Sequence, residues 1–405
     1  MTEVPAGGFR PPPYPYHRLA ALAEVAAAAP GGLVDLSVGT PCDPPPPAVV
    51  AALASSGTER GYPPSTGSPP LRQAAARYLG RRFGVDVDPG AVAACVGTKE
   101  LVASAAWYLR LRSPGRDTVL GPRLAYPTYA MGATLAGCRY VGLDVEDGRL
   151  DVGSVSDEDA ARAVVLWANS PGNPSGEVLD LGALARWGRA AGVPVCSDEC
   201  YAEFTWSGPP ASVLEHGSEG VLSVHSLSKR SNLAGVRVGF YAGDPGLVGY
   251  LAAVRTHAGL MVAGPVQAAA VVALDDDDHV AAQRARYERR LEHAVAAFRA
   301  AGLEAAMPGG GFYLWVPVPD WARAKAGGDG AGAAWVLTEA LARAAGMLVS
   351  PGEFYGGAGA DHVRVALVVP DDRLGPALDR LVSSADALAS AAVARTPPGG
   401  AGSGL

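Results

Sequence analysis

Residues 221–239 read VLSVHSLSKRSNLAGVRVG, and the fold turns on how this stretch is understood. It opens with Val221–Val224, a short run of strand character, passes the hydroxyls of Ser226 and Ser228, and arrives at Lys229. An arginine, Arg237, follows eight residues later. The chain has thirty arginines but only three lysines, Lys99, Lys229 and Lys325. A lone lysine is ordinarily a solvated surface residue. One this scarce, just past a strand and between hydroxyls, is instead a candidate for amine chemistry.

Two similar runs lie upstream, Ala163–Ala168 and Val193–Ser197, with the helical stretch Leu181–Ala191 between them. Strand, helix and strand in succession predict an α/β chain with a mostly parallel sheet covered by helices. Leu71, Ala75, Tyr78 and Leu79 recur at helical spacing among arginines. From about residue 303 a second, α+β pattern begins, with strand-like Gly311–Val318 and His362–Val369 and helical Ala333–Ala345 and Pro370–Ala389. The expected organisation is an arm and part of a smaller domain at 1–47, a large domain at 48–278, a small domain at 279–389 and a disordered tail at 390–405. The run Pro41–Pro47 is too rich in proline for helix or sheet and reads as an extended connector. The acidic run Asp275–Asp278 before the arginine-rich helix His279–Ala301 reads as a solvated helix start.

The composition excludes several classes of function. A net charge of -7 without basic clusters argues against nucleic acid as a partner. No apolar run approaches the roughly 20 residues needed to cross a bilayer. The N-terminus lacks the basic-then-apolar order of a signal peptide, so a cytoplasmic location is expected. Five scattered cysteines read as reduced thiols, and Cys196 with Cys200 lacks the second pair a zinc site would need, so no metal is expected.

Open parallel sheets bind ligands at the carboxyl ends of their strands, so the residues just past each strand are the candidates. They are Asn173 after the first run, Asp198 and Tyr201 after the second, and Ser226, Lys229 and Arg237 after the third. Gly97-Thr98-Lys99, before the helical Glu100–Leu111, offers a phosphate cradle at a helix start. Taken singly, Asp198 reads as a helix cap and Asn173-Pro174 as a turn. Together they suit an electron-sink cofactor. An amine forms a Schiff base with an aldehyde, a carboxylate keeps a pyridine nitrogen protonated, and hydroxyls with an arginine fork hold a phosphate.

The motifs extend in order along most of the chain: Tyr62 through Leu71-Arg72 (YPPSTGSPPLR), Gly97-Thr98-Lys99, Tyr126-Pro127, Asn173-Pro174-Ser175-Gly176, Asp198-x-x-Tyr201, Ser226-x-x-Lys229, Ala234 to Gly239 (AGVRVG), Gly311 to Trp315 (GFYLW) and Val363-Arg364-Val365. From Gly39 to about Leu367 the chain thus resembles the class I/II aminotransferases dependent on pyridoxal-5′-phosphate (PLP). The resemblance implies the PLP-dependent transferase fold type I: a large domain with a mostly parallel seven-stranded sheet, plus a smaller α+β domain. It also implies roles. Lys229 would hold the cofactor covalently, Asp198 would meet the pyridine nitrogen, and Asn173 and Tyr201 would bind the ring oxygen. Ser226, Arg237, Thr98 and the Gly97–Lys99 backbone would hold the phosphate, with Tyr62 reaching it from a second subunit of a homodimer. Arg364 would clamp the substrate α-carboxylate, helped by Asn173 and the backbone at Gly39. Many relatives carry Trp or Phe three residues before the Tyr-Pro pair, where this chain has Arg123; Tyr126 is therefore the expected stacking ring, with Tyr129 second.

Several stretches, above all HSLSKRSNLAG at 225–235, are similar to the succinyldiaminopimelate transaminases of actinobacterial type. That likeness implies amino transfer from L-glutamate, leaving 2-oxoglutarate, to N-succinyl-2-L-amino-6-oxopimelate in lysine and diaminopimelate biosynthesis. The extra carboxylates of such a substrate call for cations at the mouth, and Lys99, Arg230 and Arg255 are the candidates. A related aminotransferase of another amino or keto acid, including one of secondary metabolism, and a PLP-dependent C–S lyase are the alternatives. A catalytically silent PLP-binding protein would be expected to lack the lysine or aspartate or to carry a DNA-binding domain.

Overall fold

The computed structural model describes residues 8–327 and 332–390, so the predicted tail beyond residue 390 lies outside the described residues. Seven strands form the main sheet: β1 (Val92–Cys95), β2 (Thr118–Pro122), β3 (Arg139–Leu143), β4 (Ala163–Asn169), β5 (Val195–Asp198), β6 (Val221–Ser226) and β7 (Gly239–Gly243). Their spatial order is β1-β7-β6-β5-β4-β2-β3. The pairs from β6 through to β3 are parallel, whereas β7 is antiparallel to both β6 and β1. The sheet is therefore mostly parallel, and its central strands are buried residue after residue. Continuous apolar runs of this kind arise because both faces are covered.

Register aligns the chemistry. Asn169 of β4 stands opposite Asp198 of β5, which stands opposite Val224 of β6. Ser226 at the end of β6 pairs with Gly239 at the start of β7, and Gly239 in turn with Cys95 at the end of β1. The reversal of β7 is the decisive feature. Because β7 starts where its neighbours finish, Arg237, two residues before it, arrives at the same edge as the strand-end residues.

Helices flank this sheet, among them α1 (Thr98–Arg112), α2 (Thr128–Leu135) and α3 (Leu181–Ala191). The last has the predicted bounds; Asp180 caps it through a side chain accepting from Ala183 N, and Gly192 ends it in the left-handed region at φ 62°. A second buried cluster joins Val34 and Leu36 to Leu291 and Phe298 of α4 (Asp278–Ala300), and to α5 (Ala333–Ala345) and α6 (Asp371–Ser383). Three antiparallel strands, β8 (Tyr313–Pro317), β9 (Ser350–Pro351) and β10 (His362–Ala366), complete that unit in the order β8-β10-β9. The predicted helix from Pro370 breaks after Ser383, and a short second helix runs Ala385–Ser390.

Arg290 of α4 ties the connector after Gly39 to this unit. Its guanidinium donates to both carboxylate oxygens of Asp43 at 2.8 and 2.9 Å and to Asp371 at 2.5 Å. Removing one member of a buried ion pair leaves the other charge uncompensated. Arg290→Met should therefore lower unfolding free energy by about 3 kcal/mol, measured by urea denaturation. An unchanged midpoint would contradict the structural role assigned to Arg290.

Candidate active site

At the carboxyl edge of the sheet lies a cavity of about 410 Å³, within the size range of small-molecule sites. Its walls include Gly39, Thr98, Lys99, Tyr126, Asn173, Asp198, Tyr201, Ser226, Lys229, Arg237 and Arg364. The strand-end residues and the arginine from the smaller sheet thus share one chamber. Gly97 lies behind this wall, and Tyr62 is elsewhere, 96% exposed.

Lys229 occupies a single helical turn, Leu227–Arg230, launched directly from β6; Ser226 caps the turn, accepting from Ser228 N at 3.1 Å. The lysine Nζ donates to the carbonyl of Gly39 and stands 5.8 Å from the Phe312 ring centre. Burial lowers its ammonium to about 8, and the guanidiniums of Arg364 and Arg237 push the same way. Gly39 is held against the smaller sheet. A Cβ there would meet the Tyr313 hydroxyl at 2.0 Å, so the residue opposite the amine has no room for a side chain.

Asp198, at the end of β5, is 7% exposed. Burial raises its carboxyl above the usual range, opposed by hydrogen bonds from Cys200 and Tyr129. Cys200 N reaches Oδ1 at 3.2 Å and the Tyr129 hydroxyl reaches Oδ2 at 2.8 Å. Tyr129 is buried and committed to this bond, whereas Tyr126 keeps part of its surface open. Both rings meet edge to face at 6.3 Å.

A third group of residues is built to receive an anion. Arg237 sits at φ 61°, in the left-handed region, and donates to Ala234 O at 2.8 Å and Ser228 Oγ at 3.4 Å. Its described partners are thus neutral. Gly97, at φ 74°, lies against the guanidinium, where a Cβ would meet Nη2 at 2.2 Å. The hydroxyls of Thr98, Ser226 and Ser228 and the start of α1 stand around it. Backbone N–H groups at a helix start together with an arginine favour phosphate.

On the far wall, Arg364 of β10 is 2% exposed. It donates to Asn173 Oδ1 at 2.8 Å, Ser37 O at 2.6 Å and Tyr16 Oη at 3.3 Å, while Nε has no partner among the described residues. Among the described residues no carboxylate accepts from it, and it lies over the Tyr313 and Tyr355 rings at 4.1 and 4.7 Å. A buried guanidinium with neutral partners is costly without an incoming anion. A relay joins the walls: Asn169 donates to Asp198 O at 3.0 Å and accepts from Asn173 N at 2.8 Å, and Asn173 meets Arg364. Tyr201 and Tyr313 share a hydrogen bond of 2.9 Å between hydroxyls.

The structure corrects two of the cations assigned to the mouth. Arg230 is buried, bonded to Ala273 O at 2.5 Å and Asp277 at 3.2 Å. Arg255 is fully buried and paired with Glu100. Both were misread because their partners lie 43 to 155 residues away in sequence. Lys99 does face the cavity, with Nζ 5.4 Å from the Tyr14 ring centre and 5.9 Å from that of Tyr126. His225 has a packing role, stacked on Phe240 at 5.0 Å, with Nε2 3.2 Å from Glu199. Sequence reading missed Tyr14 and Tyr16, which reach the cavity from a proline-rich arm without a motif, and Tyr313, the middle residue of the GFYLW run.

Comparison with known proteins adds an independent line. A family model described as aminotransferase class I and II matches residues 32–381. The chain is 44% identical over 379 residues to a 4-dedimethylamino-4-oxo-anhydrotetracycline transaminase of Streptomyces rimosus, covering 91% of this chain and 99% of that protein. It is 32% identical to an LL-diaminopimelate aminotransferase of Dehalococcoides mccartyi, covering 87% and 91%. Among solved structures, a probable N-succinyldiaminopimelate aminotransferase of Thermus thermophilus aligns at TM-score 0.79 with 29% identity, covering 91% and 99%.

The depressed Lys229 amine makes a prediction that needs no substrate. Its neutral form should predominate above about pH 8. Reductive methylation of cofactor-free protein, read by peptide mass spectrometry, should therefore label Lys229 with a half-maximal rate near pH 8. A midpoint near about 10, the value of a free lysine, would contradict the desolvated setting.

Proposed function

Because this chain belongs to the class I and II aminotransferases, a PLP-dependent family of fold type I, we propose that it moves the amino group of L-glutamate to N-succinyl-2-L-amino-6-oxopimelate, releasing 2-oxoglutarate. The observation that carries the reading is one chamber combining a buried carboxylate, a depressed lysine amine and two arginines whose described partners are neutral. These residues fit the cofactor. A protonated pyridine would offset the desolvation of the Asp198 carboxylate, and a phosphate would pair with Arg237, whose described partners are Ser228 Oγ and Ala234 O.

In this assignment Lys229 holds the cofactor covalently through Nζ, and Asp198 faces its pyridine nitrogen. Asn173 and Tyr201 bind the ring oxygen, and Tyr126, the ring with an open face, stacks. Thr98, Ser226, Arg237 and the Gly97–Lys99 backbone bind the phosphate, joined by Tyr62 of the partner subunit in a homodimer. When bound, the cofactor supplies an electron sink for the carbanion that forms at the substrate Cα. Arg364 presents a fork to the α-carboxylate and so fixes which substrate bond faces the lysine. Once the glutamate amine has displaced it from the cofactor, the freed Lys229 Nζ, neutral at mildly alkaline pH, would take the Cα proton. Glutamate leaves as 2-oxoglutarate before the keto acid enters, which predicts ping-pong kinetics.

The choice of acceptor rests on Lys99 and on the relatives. Lys99 between the Tyr14 and Tyr126 rings suits a second carboxylate at the mouth. Two relatives are named as diaminopimelate or N-succinyldiaminopimelate aminotransferases. A second reading is favoured by the 44% identity to a transaminase named for a tetracycline intermediate. There the same tyrosines would flank a planar polycyclic ketone.

L-glutamate added alone to the cofactor-loaded enzyme should release 2-oxoglutarate in amounts equal to the enzyme. Lys229→Ala should slow that release by roughly 10³-fold or more. Turnover of the succinylated keto acid should exceed that of common 2-oxo acids and of polycyclic ketones. Absence of activity on it would remove the acceptor assignment, and pyruvate with ammonia formed from cystathionine would point to a lyase.

A further inference from the structure

The Tyr129 side chain has no part in the assignment above, yet its hydroxyl makes the shortest hydrogen bond to the Asp198 carboxylate among the described residues. It lies in the first turn of α2, 1% exposed, with its ring against Trp167 at 5.3 Å between centres. Its hydroxyl donates to Asp198 Oδ2 at 2.8 Å, entirely inside the protein. The helix that carries it has little freedom to withdraw, because a Cβ at Gly132 would already meet Val102 O at 2.8 Å. Cys200 N holds the other carboxylate oxygen at 3.2 Å.

We propose that Tyr129 is a positioning residue for the transamination, acting through Asp198: its hydroxyl fixes both the direction and the negative charge of the carboxylate that faces the cofactor nitrogen. The inference rests on the role given to Asp198 above. Tyr129 donates to Oδ2 and Cys200 N to Oδ1, with the Cys200 thiol beside them, so the carboxylate is kept from rotating and retains lone pairs for the ring nitrogen. A donor to a buried carboxylate also favours the charged form over the neutral one, against the burial that favours the neutral form.

The groups that face Asp198 are Tyr126 and Tyr129 from the α2 side, Cys95 at the end of β1, Cys200 in the loop after β5, His225 of β6 and Lys229. The imidazole Nε2 of His225 lies 3.2 Å from Glu199 Oε2, and among the described residues it forms no hydrogen bond to Asp198. The Tyr126 hydroxyl forms no hydrogen bond to Asp198 among the described residues. The bond from Tyr129 is therefore the one phenol contact whose removal changes the charge of Asp198 without changing the shape of the pocket.

The test compares wild type, Tyr129→Phe and Asp198→Asn holoenzymes in the glutamate half-reaction as a function of pH, alongside retention of cofactor on gel filtration. Removing the donor destabilises the charged carboxylate, so Asp198 binds its proton at a higher pH. In Tyr129→Phe the acid limb of the rate should move up by about one pH unit. The rate constant should fall roughly tenfold or more with little change in KM, and cofactor should be lost faster. Site-specific 3-fluorotyrosine at residue 129, a stronger donor of almost the same size, should move the limb the other way, which keeps the test decisive if the phenylalanine variant folds poorly. An acid limb unmoved in both variants, with Asp198→Asn strongly impaired, would overturn the role of Tyr129 alone. Full activity in Asp198→Asn would instead overturn the reading of the site on which it rests.

Discussion

A carboxylate placed at the end of a central strand, with nine-tenths of its surface withdrawn from water, costs several kcal/mol unless something compensates it. Asp198 is in that position, and much of the surrounding architecture follows from it. Parallel β4, β5 and β6 bring Asn169, Asp198 and the Ser226–Lys229 turn to one edge. The antiparallel β7 returns Arg237 to the same edge. Tyr129 and Cys200 hold the carboxylate, and Asn169 carries its backbone position across to Asn173 and Arg364. The chain keeps a strained electrostatic arrangement at its centre and surrounds it with neutral donors, as a site built for a charged guest would.

Two units contribute to that site from opposite sides. The large sheet supplies the lysine, the aspartate and the anion cradle, whereas the smaller sheet supplies Arg364 and Tyr313. The N-terminal stretch joins them: Leu36 packs in the smaller unit's core, Ser37 O accepts from Arg364, and Gly39 O accepts from Lys229. Tyr14 and Tyr16 bring aromatic surface to the mouth from the same stretch. The N-terminal segment is therefore part of the chamber and sets the surroundings of Lys99, the cation proposed above to meet the distal end of a substrate.

Much of this was legible in the sequence, for a physical reason. Strands buried on both faces appear as uninterrupted apolar runs, so β4, β5 and β6 could be placed, and the polar residues just past them proved to share the cavity. The remaining strands of the sheet were harder to see. Thr118–Pro122 contains glycine and proline, and Arg139–Leu143 begins with partly exposed residues at the sheet edge. Contacts between distant segments left no signal. Arg255 looks free in sequence because Glu100 is 155 residues away, and Tyr129 looks like a stacking ring because its bond to Asp198 spans 69. Periodicity reports burial; it does not report which partner a buried polar group will meet.

The account depends on one covalent bond. Borohydride reduction of the cofactor-loaded protein, followed by proteolysis and mass spectrometry, locates the amine that carries the cofactor. The predicted result is a pyridoxyl adduct on the peptide containing Lys229 and on no other. Attachment to Lys99 or Lys325, or no adduct from protein that is active and yellow, would contradict it.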